Sequence, residues 1–134
     1  MKKTLFAALL ASVFVLQPAY AAKGGASAVC QKVGKVIGIA TEVALKYEKS
    51  DADINDQLAE LIELIKKRMP KDFVAGLLGG EGSDHYDPMF VRKLYMEGVA
   101  NKIMAKSKLK NPSRKQIINY AIKKGMSDCM KTPG

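Results

Sequence analysis

Apolar residues recur at spacings of three and four along most of the chain, a period that is typical of amphipathic α-helices. The pattern predicts a first helix over about residues 27–48, a second that opens near residue 50, and a short third over about residues 71–78. Gly34 and Gly38 lie four residues apart in the first helix. Either they let another helix approach closely, or they are tolerated at a cost of about 1 kcal/mol each.

Capping residues mark where the other helices begin. Ser50 and Asp53 have the spacing of a capping box at the second helix, with Asp in place of the usual Glu. Asx-Pro pairs at 87–88 and 111–112 each join an N-cap residue to a proline suited to the first helical position, which predicts a fourth and a fifth helix. No alternating pattern indicates a β-strand. We therefore expect an all-α fold, a compact bundle of about five helices.

The N-terminus resembles a bacterial secretory signal peptide. Two lysines precede an uncharged apolar run over residues 5–16, and the sequence AYA at 19–21 places small residues where a signal peptidase cleaves. We expect cleavage near Ala21 to remove residues 1–21 and to leave residues 22–134 as a single helical domain, periplasmic or secreted. A membrane anchor fits less well, because the run is about 12 residues long and roughly 20 are needed to span a bilayer. No later segment is long and apolar enough to do so.

The chain contains two cysteines, Cys30 near the start of the expected domain and Cys129 near its end. An even number of cysteines in an exported protein indicates a disulfide. Redox-active pairs usually stand close together as Cys-x-x-Cys, and this pair does not. We therefore predict a structural bond that joins the first helix to the last and stabilises the fold by on the order of 4–5 kcal/mol in the chain-entropy model.

The excess of positive charge belongs to the C-terminal third. The formal net charge is +9, of which +7 remains once the two lysines of the signal peptide are removed, and residues 102–134 carry nine basic residues and one acid. A run of charges is usually a solvated face that keeps a protein soluble, but a nearly uncompensated run also attracts acidic surfaces. The candidate basic binding residues are Lys106, Lys108, Lys110, Arg114, Lys115, Lys123 and Lys124.

The sequence GGEGSDHYDP, residues 79–88, holds the only histidine of the chain. Its carboxylates and imidazole are groups that bind metals, yet their spacing matches no known ligand pattern and a second histidine is missing. The spacing of Ser83 and His85 does not by itself indicate a catalytic triad. We expect no metal, cofactor or catalysis here. Instead, the segment is interpreted as a solvated loop that contacts a partner through Asp84, His85 and Tyr86.

The outline of the chain resembles a loosely defined group of small exported bacterial helical proteins. The resemblance rests on the signal peptide, on AVC opening the first helix, on RKLYMEG in a middle helix and on MSDCM in the last. The same build is similar to periplasmic immunity proteins, which block toxins delivered by neighbouring cells. The resemblance implies a two-cysteine helical domain without an assigned activity.

Two functions remain open at this point. We expect a non-catalytic interaction protein that binds another protein, as an inhibitor, immunity factor or chaperone-like partner. The alternative is a binder of anionic lipid or glycan in the cell envelope that uses the basic C-terminal surface. Nucleic acid is disfavoured as a partner by export and by the lack of a recognised binding motif. A carboxylate enzyme would have Glu60, Glu63 and Glu97 as candidate residues, but their spacing more simply marks solvated helix surface.

Overall fold

The structure is a computed structural model that describes residues 18–78 and 87–131, with side chains from residue 27 onward. In these ranges the chain forms α-helices and no strand, which confirms the all-α prediction. The helices are α1 (Pro18–Lys46), α2 (Ile54–Arg68), α3 (Lys71–Leu78), α4 (Pro88–Lys108) and α5 (Arg114–Lys131). Helix α1 begins earlier than its apolar pattern predicts, so cleavage after Ala21 would fall within its first turn.

Helix α1 is the central element of the fold. It packs most extensively against α5 and also contacts α4 and α2. Between residues 33 and 44 it is apolar on nearly every side, and a helix of this kind is stable only when neighbours cover it all round. Fully burying each Val or Ile stabilises the fold by about 1.5–3 kcal/mol relative to exposing it. The buried apolar residues of α1 are Val29, Cys30, Val33, Val36, Ile37, Ile39, Ala40, Val43 and Ala44.

A disulfide between Cys30 and Cys129 joins the first helix to the last, as predicted. The two Cα atoms are 5.5 Å apart and the bond closes a sequence separation of 99 residues. Both cysteines are buried in the core cluster. Such a bond stabilises mainly by restricting the unfolded chain, and it also fixes the register of α1 against α5.

Helices α1 and α5 approach closely at their glycines. A β carbon at Gly34 would stand 2.6 Å from the carbonyl oxygen of Ile122, and one at Gly38 would stand 2.5 Å from the side chain of the same isoleucine. Gly125 of α5 lies at this crossing, since a β carbon there would be 3.3 Å from Cα of Gly34. The structure therefore supports the first interpretation of Gly34 and Gly38, namely that they let another helix approach closely.

The caps of α2 and α5 differ from those the sequence predicts. Asp53, and not Ser50, is the N-cap of α2, and its carboxylate accepts a hydrogen bond of 2.7 Å from the backbone N–H of Asn55. Within the described residues, a reciprocal capping box lies instead at α5. There the Ser113 hydroxyl accepts from the N–H of Gln116 at 3.1 Å, and the Gln116 side chain accepts from the N–H of Ser113 at 2.7 Å. The Asp87 cap of α4 is confirmed.

Asn111 does not cap α5, because its backbone has a positive φ of 45° and it lies in the turn before the helix. Asparagine is among the few residues other than glycine that adopt this left-handed conformation readily. The Asx-Pro pair at 111–112 is therefore part of a turn, and the helix begins two residues later at Arg114.

Ion pairs fasten the C-terminal end of α1 to its neighbours. Lys46 Nζ lies 2.8 Å from a carboxylate oxygen of Glu60 on α2. Lys106 of α4 forms an ion pair with Glu48, which follows α1 directly. Pairs as exposed as these add little to stability, but they orient α2 and α4 around the central helix.

None of the helices in the described ranges combines the length and the apolar character that crossing a bilayer requires.

Candidate functional site

Four cations lie together where α4 gives way to α5. Lys108, Lys110, Arg114 and Lys115 are all exposed, and we call this group the basic end. Within the described part of the chain, no ion pair or side-chain hydrogen bond engages any of them. Lys106, which the sequence places in the same candidate surface, is instead held by Glu48. The basic end is therefore a group of four exposed cations without an ion pair among the described residues.

The turn that carries the basic end is well defined. The N–H of Leu109 donates to the carbonyl of Ala105 at 2.9 Å and closes the last turn of α4. The capping box of Ser113 and Gln116 then fixes the start of α5. Arg114 and Lys115 stand on the first turn of that helix, where the positive end of the helix dipole adds to their charge. Their cationic side chains are thus projected from an ordered backbone.

Beside the basic end, a groove runs between α1, the C-terminal end of α2, and α5. Its volume is about 280 Å³ and its floor is mainly apolar. Two isoleucines of α5, Ile118 and Ile122, are half-buried and line this groove. The lining residues are Lys35, Gly38, Ile39, Glu42, Arg68, Met69, Ile118 and Ile122.

The rim of the groove carries charge that connects it to the basic end. The Arg68 guanidinium donates two hydrogen bonds to the Glu42 carboxylate, at 3.0 and 2.9 Å. These bonds hold the pKa of Glu42 below its ordinary value, and the positive charge of Arg114 lowers it further. Arg114 therefore lies near enough to act on the rim of the groove. Lys35 is also exposed at the rim, and its ammonium group forms no ion pair within the described residues.

The two lysines predicted on α5 have different surroundings. Lys123 is exposed and has no ion pair within the described residues. Lys124 lies 3.3 Å from Asp128, one helical turn on, and both side chains are largely buried. Lys124 thus belongs to an internal polar cluster between α4 and α5, whereas Lys123 is exposed on the surface of α5.

That polar cluster contains an acid with a strongly shifted pKa. Burial raises the pKa of Glu97 to about 7, the nearby charge of Asp128 raises it as well, and Lys124 opposes them. The side-chain amide of Asn101 donates to the backbone carbonyl of Glu97 at 2.8 Å. Its oxygen is buried without a hydrogen-bond partner among the described residues. A protonated Glu97, one turn away, has a hydrogen to donate in this cluster.

An acid with a pKa near 7 is a common catalytic group, so the surroundings of Glu97 decide how it is interpreted. Neither of the two grooves described is lined by Glu97 or Asp128. Glu97 and Asp128 therefore lie apart from these two grooves, within the packing of α4 against α5.

The predicted loop residues Asp84, His85 and Tyr86 lie outside the described residues. Within the part of the chain that the structure describes, no group of three or more His, Cys, Asp or Glu side chains is arranged to hold a metal ion. A second, smaller groove of about 150 Å³ lies between α2 and the start of α4. It is lined by Asn55, Leu58, Ala59, Ile62, Pro88 and Val91.

Sequence reasoning missed the larger groove and the exposed apolar residues of α4. The groove takes residues from three helices, and no spacing along the chain signals that they meet. On α4, Ile103 is 60% exposed, and Met89 (61%) and Met96 (55%) are exposed to a similar degree. The seven-residue spacing of these three residues could have shown that they share one face.

Comparison of the chain with family models, with curated proteins and with solved structures found no match. The chemistry of the described surface is therefore the basis on which a function is assigned.

Proposed function

We propose that this protein is a non-catalytic binding protein that recognises an acidic segment of another protein. The observation that supports this most directly is the basic end, where four exposed cations lie at and between the adjoining ends of α4 and α5 and no ion pair engages them among the described residues. Such a cluster raises the local concentration of an acidic partner and speeds its association. An inhibitor, an immunity factor or a chaperone-like protein, periplasmic or secreted, would each use a surface of this kind.

The groove beside the basic end can supply the binding energy that exposed charges alone do not provide. Exposed ion pairs contribute only about 0.2–1 kcal/mol each, because water screens them. Binding energy in protein interfaces comes instead mostly from a few apolar or aromatic anchors in desolvated pockets. The floor formed by Ile39, Met69 and Ile118 can receive one such side chain. The partner is thus an acidic segment with at least one large apolar residue.

The distribution of charge on the rim limits the orientation of that segment. Arg68 is already neutralised by Glu42, so it is not available to a second carboxylate without breaking two hydrogen bonds. Lys35 and Glu42 line the groove two turns apart on α1, and Arg114 lies near Glu42, so Lys35 and Arg114 are towards opposite ends of the groove. Neither cation forms an ion pair among the described residues. We expect the acids of the partner to flank its apolar residue, towards Lys35 at one side and Arg114 at the other.

An affinity capture tests this function. The oxidised protein is immobilised and exposed to periplasmic and culture-supernatant fractions at low and high salt. The variant Lys108→Glu/Lys110→Glu reverses charge at the basic end, and Lys49→Glu/Lys93→Glu makes the same change in net charge at exposed residues that do not line the groove. We expect one stoichiometric protein partner that survives high salt, is lost with the first variant and is retained with the second.

Other outcomes would overturn the proposal. Capture of only lipid or glycan, released by salt, would assign the basic end to an anionic envelope component. Equal loss of the partner with both variants would show that overall charge, and not this surface, governs binding. A partner held equally by wild type and by Lys108→Glu/Lys110→Glu would place the interface elsewhere.

A further inference from the structure

The side of α4 that faces away from the core is apolar. Met89, Met96 and Ile103 are spaced by seven residues, and each exposes more than half of its surface. Ala100, also exposed, lies between the last two. The residues of α4 that face the core are on the opposite side of the helix: Val91, Leu94, Tyr95, Gly98, Asn101 and Ala105. Helix α4 therefore presents an apolar strip on each side, and only one of them is covered by the described chain.

The charges interleaved with this strip are all positive. Arg92 and Lys93 are exposed on its two edges, and neither forms an ion pair within the described residues. The acid of this helix that comes nearest to the strip, Glu97, is half-buried on the side of α5. We define the outer face of α4 as Met89, Met96, Ala100 and Ile103 together with Arg92 and Lys93.

We propose that the outer face of α4 docks the protein reversibly on an anionic lipid bilayer. A helix that lies in a membrane interface has this arrangement, with apolar side chains entering the acyl boundary and lysines or arginines beside them at the headgroups. The cations match anionic headgroups, and the net positive charge of the chain adds to the attraction. Methionine suits such a face because its unbranched side chain adapts to an irregular environment.

The size of the outer face favours a bilayer over a second copy of the chain. The strip offers only three large apolar side chains, a small patch beside the roughly 1,200 Å² of total buried surface that stable specific interfaces need. Each copy also carries the same net positive charge, which opposes their association. A bilayer needs no complementary shape. For reversible attachment, it is enough that the apolar side chains contribute a binding free energy comparable with that of one short acyl chain and that basic residues lie beside them.

Docking through this face is independent of the proposed protein binding. No residue of α4 lines the groove between α1, α2 and α5. The basic end begins at Lys108, the last residue of α4, so an anionic surface could also attract it, and the two surfaces must be tested with separate variants.

Vesicle co-sedimentation tests the docking. The oxidised protein, isolated after export, is mixed with vesicles that contain phosphatidylglycerol or with vesicles of phosphatidylcholine alone. We expect binding to the anionic vesicles only. Met96→Gln/Ile103→Gln should weaken it by about tenfold or more, as expected for removing the apolar part of a two-part attachment. Ile54→Gln, which changes another exposed apolar residue, should bind like wild type.

A fluorescence experiment reports on insertion itself. The chain contains no tryptophan, so Met96→Trp introduces a single reporter on the outer face. Its emission should shift to shorter wavelength on binding anionic vesicles, because the indole enters a less polar environment. Bound protein with unshifted emission would overturn the proposal, and so would unchanged binding of Met96→Gln/Ile103→Gln or no binding by wild type. Dimers that this double variant abolishes would assign the face to a second copy instead.

Discussion

The backbone of Gly98 on α4 lies directly against that of Ala40 on α1. A β carbon at Gly98 would stand 2.5 Å from the carbonyl carbon of Ala40 and 2.7 Å from its carbonyl oxygen. Neither atom belongs to a flexible side chain that could move aside. The separation of α1 and α4 is therefore set by the absence of a side chain at this one position.

Replacing Gly98 by alanine is expected to destabilise the fold by about 2–4 kcal/mol, because the helices must move apart and lose packing. In an exposed helix the same change would stabilise by about 1 kcal/mol, so helix propensity works against the expected loss. Urea denaturation measures the difference. The exposed change Ala100→Gly serves as the comparison and should cost about 1 kcal/mol or less. A stable Gly98→Ala protein would show that the crossing tolerates a wider separation.

The disulfide is expected to contribute about 4–5 kcal/mol, since it closes a loop of 99 residues. Cys30→Ser/Cys129→Ser should therefore lower the urea midpoint markedly without changing the helical content of the folded state. Chemical reduction of the wild type provides the control and should give the same midpoint as the double variant. Oxidised and reduced proteins of equal stability would mean that α1 and α5 are held together by packing alone.

The stability of the protein should depend on pH through Glu97. Its pKa rises from an ordinary 4.5 to about 7 in the folded state, so the folded protein binds more protons than the unfolded chain between these values. Stability contributed by this group is then present at low pH and is lost as the pH rises from about 4.5 to about 7. Glu97→Gln should remove this dependence and should be more stable than wild type above pH 7, by on the order of 1 kcal/mol after allowance for solvent screening.

Thermal unfolding between pH 4 and pH 8 would measure this effect. The exposed change Glu63→Gln is the matched control and should leave the pH profile of the wild type unchanged. Equal pH profiles for wild type and Glu97→Gln would show that the pKa of Glu97 is not raised. Water would then reach its carboxyl group more freely than the structure indicates.

The capping residue of α5 can be identified by substitution. Ser113→Ala should cost about 1 kcal/mol, because the N–H of Gln116 loses its acceptor. Asn111→Gly should be neutral or slightly stabilising, since the residue has a positive φ of 45° that glycine adopts freely. If Asn111 were the cap, Asn111→Gly would cost only a few tenths of a kcal/mol and Ser113→Ala would cost nothing. Chemical denaturation of Ser113→Ala is therefore the decisive measurement.

The sequence by itself determined the number of helices, their approximate ranges and the disulfide. Apolar spacing is a local property that survives in any helical fold, and two cysteines in one chain allow a single intramolecular bond. The Asp87 cap was also predictable, because Pro88 restricts where its helix can begin. The Asx-Pro motif at Asn111 gave a wrong prediction of the cap, because the conformation of a turn depends on how the two flanking helices meet.

Only the tertiary structure decided which charged and apolar residues remain available at the surface. Lys106 and Lys124 look like Lys108 and Lys123 in sequence, yet the first two are held by acids, one 58 residues away in the chain and one on the same helix. The groove and the raised pKa of Glu97 arise where separate helices meet. The pair of Lys124 with Asp128 has the i,i+4 spacing that the sequence already shows. The burial of that pair and the ion pair of Lys106 depend on distances between residues that are remote in sequence, and local periodicity carries no information about those distances.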